Sequence, residues 1–342
     1  MPRQLSLSAR PKSFDELIGQ PRLVDRIRRH IQSGRIPEAW LLTGPTGTGK
    51  TTVARILSVS LQCTHQTVFG NPCKECRMLS KSFYESGISS GFDMYEINAA
   101  KITGIRELEQ ELEGTYFLPR FGDYRIYILD ECHQLSSHAQ NLALKYLEDS
   151  PETTQFILCS TAPQKLIETL RSRCTVYRLR ELGIDDITVL VETLLKKIKS
   201  DLPADRLAES LVERGVYYPR LIAQAVEKYS AGATPDEAAD VEGATEVDTK
   251  ALSSALVKGD WPTVAGFLAN SQVADIRAIR LSCIAYLRAI LWASPEVSER
   301  TGVVAKAITV LCGIQSAEDL VMSAAVSAAL YPVVSMFSKY KH

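Results

Sequence analysis

The segment Gly44-Pro45-Thr46-Gly47-Thr48-Gly49-Lys50-Thr51 constrains this chain more than any other. A glycine, four further residues and then Gly-Lys-Thr is the pattern of a loop that cradles phosphate. Its glycines permit a turn whose backbone N–H groups point inward at phosphate oxygens. A helix opening near Thr51 adds its positive end. Such a loop works only between a strand and a helix. Trp40-Leu41-Leu42 supplies the apolar run before it, and Thr52 to Leu61 the helical stretch after it. Lys50 is suited to neutralising β- and γ-phosphates, and the Thr51 hydroxyl to coordinating Mg²⁺.

Further apolar runs follow at Met94–Ile97, Arg125–Leu129, Gln155–Cys159 and Thr175–Leu179, with helical stretches such as Ala139–Leu147 between them. Strands alternating with helices predict an α/β fold with a parallel five-stranded sheet. The run at 125–129 ends in Asp130-Glu131-Cys132-His133. A carboxylate ending a buried strand suits Mg²⁺, so Asp130 joins Thr51 as a metal ligand. Glu131 is placed to orient and deprotonate a water. ATP with Mg²⁺, and its hydrolysis, is the chemistry these residues imply.

At 342 residues the chain is expected to hold two or three domains, at roughly 100–200 residues each. The phosphate-loop domain is expected over 1–181 and a small helical domain over 182–232, where Ile184–Ser200 and Ala204–Tyr229 show helical spacing. A linker is expected at 233–247 and an all-helical domain at 248–342. Apolar residues at 45% and charged residues at 23% exclude disorder throughout. No apolar stretch is long enough to span a membrane. The start, Met1-Pro2-Arg3-Gln4-Leu5, does not read as a secretory signal, so a cytoplasmic chain without a membrane partner is expected. A net charge of -1 argues, as an average, against a general nucleic-acid binder. Arg22, Arg26, Arg28, Arg29 and Arg35 read as a solvated helix face.

In a reducing compartment the eight cysteines read as metal ligands or buried small side chains. Cys63, Cys73 and Cys76, with a Cys-x-x-Cys among them, suggest a tetrahedral structural zinc site. His65 is the nearest candidate fourth ligand, and a site without metal is the alternative. Cys132, Cys159, Cys174, Cys283 and Cys312 lie in apolar contexts and are expected in cores.

Several blocks carry a resemblance to a known family. They are Arg10-Pro11-Lys12-Ser13-Phe14-Asp15-Glu16-Leu17-Ile18-Gly19-Gln20, the Asp130–His133 block, Pro163-Gln164-Lys165-Leu166, and Ser172-Arg173-Cys174. Together they resemble the clamp-loader ATPases of the AAA+ class, which include the bacterial DNA polymerase III gamma/tau and replication factor C small subunits. Residues 247–252 are similar to the start of that family's collar. The resemblance implies an AAA+ P-loop domain with the zinc loop (63–79) inserted, a helical lid and a C-terminal all-α collar that holds the subunits together. It places Arg10, Pro11 and Ile18 beside the adenine, and Gly44, Pro45, Thr46, Gly47, Thr48, Gly49, Lys50, Thr51 and Thr52 around the phosphates. Arg173 becomes an arginine finger acting in trans, Thr161 a sensor of the γ-phosphate or water, and Arg220, rather than Arg214, a second-domain sensor. The family's fourth zinc cysteine corresponds to Leu79. Lys101, Thr103, Gly104 and Arg106 fall in a segment that tracks duplex phosphates without reading bases.

The implied partners are homologous AAA+ copies in a pentamer, a sliding clamp, and primer–template DNA bound without sequence preference. The setting is the replication fork in a bacterial cytoplasm, or the host's for a phage protein. Two other readings stay open: an AAA+ DNA motor of the branch-migration type, and a scaffold subunit that binds nucleotide without turnover.

Overall fold

The structure is a computed structural model. It describes residues 4–63, 71–86, 93–102, 104–120, 122–241 and 299–313, with 255, 258, 260, 262–264, 283, 284, 287 and 332. The chain divides into two compact units, Met1–Glu181 and Leu182–His342.

The first unit runs α1 (Leu5–Ser8), α2 (Pro21–Ser33), β1 (Ala39–Thr43), α3 (Lys50–Gln62), α4 (Lys74–Leu79), α5 (Lys81–Ser86) and β2 (Met94–Asn98). It continues with α6 (Ile105–Leu112), β3 (Arg125–Asp130), α7 (Ser137–Asp149), β4 (Thr154–Ser160), α8 (Glu168–Ser172) and β5 (Cys174–Arg178). The strands form one parallel sheet in the order β2-β3-β4-β1-β5. Helices cover both faces, so the inner strands read as unbroken apolar runs. Every residue of β1 and β4 is buried. The edge strands β2 and β5 instead alternate buried with more exposed positions, leaving Tyr95 and Val176 each 40% exposed.

Side chains of β1 divide by parity between two cores. Trp40 and Leu42 pack with Phe14, Ile27, Ile56 and Tyr177, while Ala39 and Leu41 pack with Leu108, Leu129, Ala143 and Leu170. α3 is buried nearly throughout, which brings Arg55 inside. Its guanidinium donates to both carboxylate oxygens of Glu96 on β2, at 2.7 and 2.6 Å, and to the Tyr84 carbonyl at 2.8 Å. A buried cation is tolerable with this bidentate pairing. In register, Thr43 lies beside Ser160 and Asn98 beside Asp130, so the carboxyl ends of the strands share one rim. Open parallel sheets bind ligands outside that rim.

The second unit contains α9 (Ile184–Lys197), α10 (Ala204–Glu213), α11 (Pro219–Ser230), α12 (Pro235–Ala239) and α13 (Glu299–Gly313). The 204–229 stretch with helical spacing is two helices. Gly215 adopts a left-handed φ of 70° after α10, and Pro219 opens α11, whose first turn needs no N–H from it. Residues 235–239, expected in a linker, are helical. Thr234 and Glu237 form a reciprocal capping box, and Ala238 and Ala239 are buried. The expected collar falls mostly outside the described residues. Within it α13 buries Val303, Val304 and Ala307.

Candidate nucleotide site and cysteine cluster

The loop after β1 has the geometry its glycines foretell. Gly44 sits at φ 148°, and a Cβ there would lie 2.6 Å from the Leu179 carbonyl oxygen. Gly49, at φ 99°, caps α3 in a conformation that costs other residues energy. Lys50 is 5% exposed, and its Nζ donates to the carbonyls of Gly44 and Pro45, both at 2.9 Å. Thr48 Oγ1 donates to the Pro45 carbonyl at 2.8 Å. Pro45, Thr46 and Gly47 form the turn between, and Thr52 follows in the first turn of α3, partly buried.

Thr51 Oγ1 donates to Asp130 Oδ2 at 2.8 Å, joining the start of α3 to the end of β3. The second carboxylate oxygen of Asp130 accepts the Glu131 N–H at 3.0 Å. Hard oxygen donors meeting at the foot of a phosphate loop suit Mg²⁺. Glu131 adopts a left-handed backbone, φ 52° and ψ 37°, uncommon for a residue with a side chain. Its carboxylate Oε2 lies 3.6 Å from His133 Nδ1. Thr161, just past β4, has its Oγ1 3.2 Å from His133 Nε2. Thr51, Asp130, Glu131, His133 and Thr161 thus form one chain of contacts that starts beside Lys50.

The N-terminal block borders the same region. Gln20 exchanges two hydrogen bonds with the Arg180 backbone, at 2.6 and 3.1 Å, and the neighbouring Leu179 N–H donates to Thr43 at 2.7 Å. Phe14 is buried in the core, while Arg10, Pro11 and Ile18 are partly buried. Arg173 follows α8, and its Nε forms an ion pair with Glu148 Oε1 at 2.7 Å. Cys174 beside it is buried and donates to the Leu170 carbonyl at 3.2 Å. The cysteine thus anchors the segment while the arginine stays half-exposed.

Arg220 is exposed in the first turn of α11, in the second unit, whereas Arg214 pairs with Asp240 at 3.8 Å. Lys101, Gly104 and Arg106 are exposed around the start of α6, with Gly104 as its N-cap. Thr103 lies outside the described residues, as does His65.

The sulfur atoms of Cys63, Cys73 and Cys76 lie within 4.8 Å of one another. Cys63 Sγ accepts the Cys73 N–H and Cys73 Sγ accepts the Cys76 N–H, both at 3.3 Å, so the backbone holds the cluster in place. Burial opposes ionisation of Cys73, but hydrogen bonds from Cys76, Cys63 and the Glu75 backbone outweigh it and lower its pKa. Burial and the two neighbouring thiols push Cys76 up to about 12. Three clustered thiols are a donor set that suits Zn²⁺. Cys132, Cys159, Cys174 and Cys283 are buried. Burial raises the first two well above the ordinary thiol range and Cys174 to about 12.

Residues 19–183 match the family described as "DNA polymerase III, delta subunit". Over 188 residues, 55% of this chain, the sequence is 36% identical to the DNA polymerase III subunit gamma of Buchnera aphidicola subsp. Baizongia pistaciae, covering 50% of that protein. Over this region the chain is similar to the DNA polymerase III gamma/tau subunits. It is 33% identical over 191 residues to subunit tau of Escherichia coli, again 55% of this chain but 28% of that protein. The matched region therefore spans half or less of these gamma/tau relatives. A solved RuvB mutant from Thermotoga maritima has a TM-score of 0.50 at 17% identity, covering 73% of this chain and 80% of that one. At that identity the likeness is one of fold. Among the described residues, no helix is long and apolar enough to cross a membrane.

Two partners of these side chains carry little signal of their role in the sequence. His133 was visible only as the last letter of a motif. Glu148, the partner of Arg173, carries no local signal at all.

Proposed function

We propose that this chain is an ATPase subunit of a sliding-clamp loader, working in a cytoplasm at the replication fork. The contact between Thr51 and Asp130 at the foot of the phosphate loop carries the proposal, together with the likeness to gamma/tau subunits. ATP would draw Lys50 from the Gly44 and Pro45 carbonyls onto its β- and γ-phosphates. Gly44–Thr52 would wrap the phosphates, Arg10, Pro11 and Ile18 would flank the adenine, and Arg220 would reach the nucleotide from the second unit. Thr51 and Asp130 would hold Mg²⁺, which neutralises the charge developing on the phosphates.

Glu131 would take a proton from the attacking water, with Thr161 reading the γ-phosphate or that water. Arg173 would act on nucleotide held by a neighbouring subunit, which makes hydrolysis depend on assembly. Binding would close a pentamer of homologous subunits around primer–template DNA while it grips an open clamp. Hydrolysis would release the clamp. Lys101, Thr103, Gly104 and Arg106 would follow duplex phosphates through charge and helix-end N–H groups. Cys63, Cys73 and Cys76, with His65, would hold a zinc ion of structural purpose.

The deciding experiment measures ATP hydrolysis with a sliding clamp and primed DNA added singly and together. Stimulation by both together supports a clamp loader. Strand displacement would support a branch-migration motor instead, and nucleotide binding with no turnover under any condition would support a scaffold subunit. Lys50→Ala should abolish nucleotide binding.

A further inference from the structure

His133 lies between two groups that the proposed reaction uses, and it touches both. The residue is 9% exposed, held between Cys132 of the apolar core and the threonine just past β4. Its two ring nitrogens have different surroundings. Nε2 lies 3.2 Å from Gln134 Nε2 and 3.2 Å from Thr161 Oγ1. With the Gln134 amide nitrogen placed toward it as a donor, this ring nitrogen is the acceptor and carries no proton. The Thr161 hydroxyl, also 3.2 Å away, donates to the same lone pair and shares it with Gln134.

The proton of the neutral ring must therefore sit on Nδ1. Among the described residues no hydrogen bond reaches that atom, although it is buried. An unpaired buried N–H is costly, and a carboxylate acceptor, Glu131 Oε2, lies 3.6 Å away. Burial also lowers the histidine's pKa, ahead of the opposing pull of Glu131, with Lys165 and Lys50 adding to the lowering. That keeps the ring neutral near pH 7, the state the Gln134 contact demands. The unusual backbone of Glu131, φ 52°, turns its side chain onto the same side as the histidine ring.

We infer that His133 is a positioning residue: its imidazole ties the carboxylate of Glu131 to the hydroxyl of Thr161, so that the group accepting the water's proton and the threonine hold one geometry. A shortening of the 3.6 Å gap to hydrogen-bond length would fix one carboxylate oxygen and leave the other free for water. A shift of Thr161 toward a bound γ-phosphate or water would pull on Nε2, turn the ring and move the carboxylate. The inference rests on the ATPase reading above and adds the means by which the threonine's state reaches Glu131.

The test uses the full chain with ATP, Mg²⁺, clamp and primed DNA. His133→Phe keeps the ring's bulk and removes both nitrogens. Its kcat should fall on the order of ten- to hundredfold with the KM for ATP and the nucleotide affinity unchanged. Thr161→Val should fall similarly, Thr161→Ser should recover turnover relative to Thr161→Val, and the His133→Phe/Thr161→Val double variant should be no worse than either single one.

A kcat within twofold of the parent for His133→Phe would overturn the inference. So would multiplying losses in the double variant, or a nucleotide affinity that falls as far as kcat, which marks a packing role. If His133→Phe does not fold, Thr161→Val against Thr161→Ser decides: equal losses overturn the relay. A parent chain that binds ATP and never hydrolyses it removes the ATPase reading itself, a result distinct from a working parent whose variants are indifferent.

Discussion

Arg173 is held by Glu148 of its own subunit, Nε to Oε1 at 2.7 Å, with the side chains 48% and 37% exposed. The residue that the proposed mechanism sends to a neighbour is therefore oriented at home first. The tie is loose: solvent-exposed pairs of this kind contribute about 0–1 kcal/mol.

Removing that pair should accordingly leave the fold alone. Glu148→Gln and Arg173→Ala should each melt within about 3 °C of the parent, given the small energy involved. Arg173→Ala should nonetheless bind ATP normally and lose assembly-dependent hydrolysis by about a thousandfold or more. Arg173→Lys should recover little, because an ammonium lacks the planar fork. DNA-stimulated turnover retained in an assembled Arg173→Ala complex would sink the trans role.

Gly44 is a second, purely steric test. An alanine Cβ would meet the Leu179 backbone oxygen at 2.6 Å, and that strand segment is itself hydrogen-bonded to Thr43 at 2.7 Å and cannot easily retreat. Gly44→Ala should lower unfolding stability by about 3 kcal/mol, read from denaturant titration. Loss of ATP binding should accompany it.

Thr51 and Asp130 should behave as a unit toward Mg²⁺. In the parent, the affinity for a fluorescent ATP analogue should be higher with Mg²⁺ than with EDTA. Thr51→Val and Asp130→Asn should each erase most of that difference, roughly tenfold, and combining them should add little. Full additivity would mean that the two side chains do not share one ion.

The cysteine cluster makes a prediction about metal content. Purified chain should carry zinc near one ion per molecule, and Cys73→Ser or Cys76→Ser should lose it with a lowered melting temperature. Cys174→Ser should keep the zinc, because that thiol is buried and bonded to Leu170. Parent protein with no zinc after refolding in its presence would refute the site.

Duplex binding should be electrostatic if Lys101 and Arg106 face phosphate. Each alanine substitution should reduce the slope of log affinity against log salt by about one, equally for unrelated sequences. An unchanged slope would return these residues to the solvated helix face.

Much of the first unit is legible in the chain because its signals are local. The glycines of 44–49 specify a loop whose backbone other residues resist, and the apolar runs at 39–43 and 154–160 announce strands covered on both faces. The edge strands carry a weaker signal, since β2 and β5 pack fully on neither side. The 204–229 stretch keeps its helical spacing through Gly215 and Pro219, and the backbone shows that one helix ends and another begins between them.

The sequence alone determined which chemical groups this protein owns: a phosphate loop, two acids ending a strand, three cysteines in reach of one another, and an arginine next to a core cysteine. Those are matters of residue type and short spacing, governed by backbone sterics and helix or strand period. Tertiary structure alone decided what those groups face. The order β2-β3-β4-β1-β5 brings Thr51 to Asp130, sets Thr161 against His133, and gives Arg173 to Glu148. Such meetings depend on which strands pair across long stretches of chain. That choice is made by the burial of two whole cores, not by any one segment.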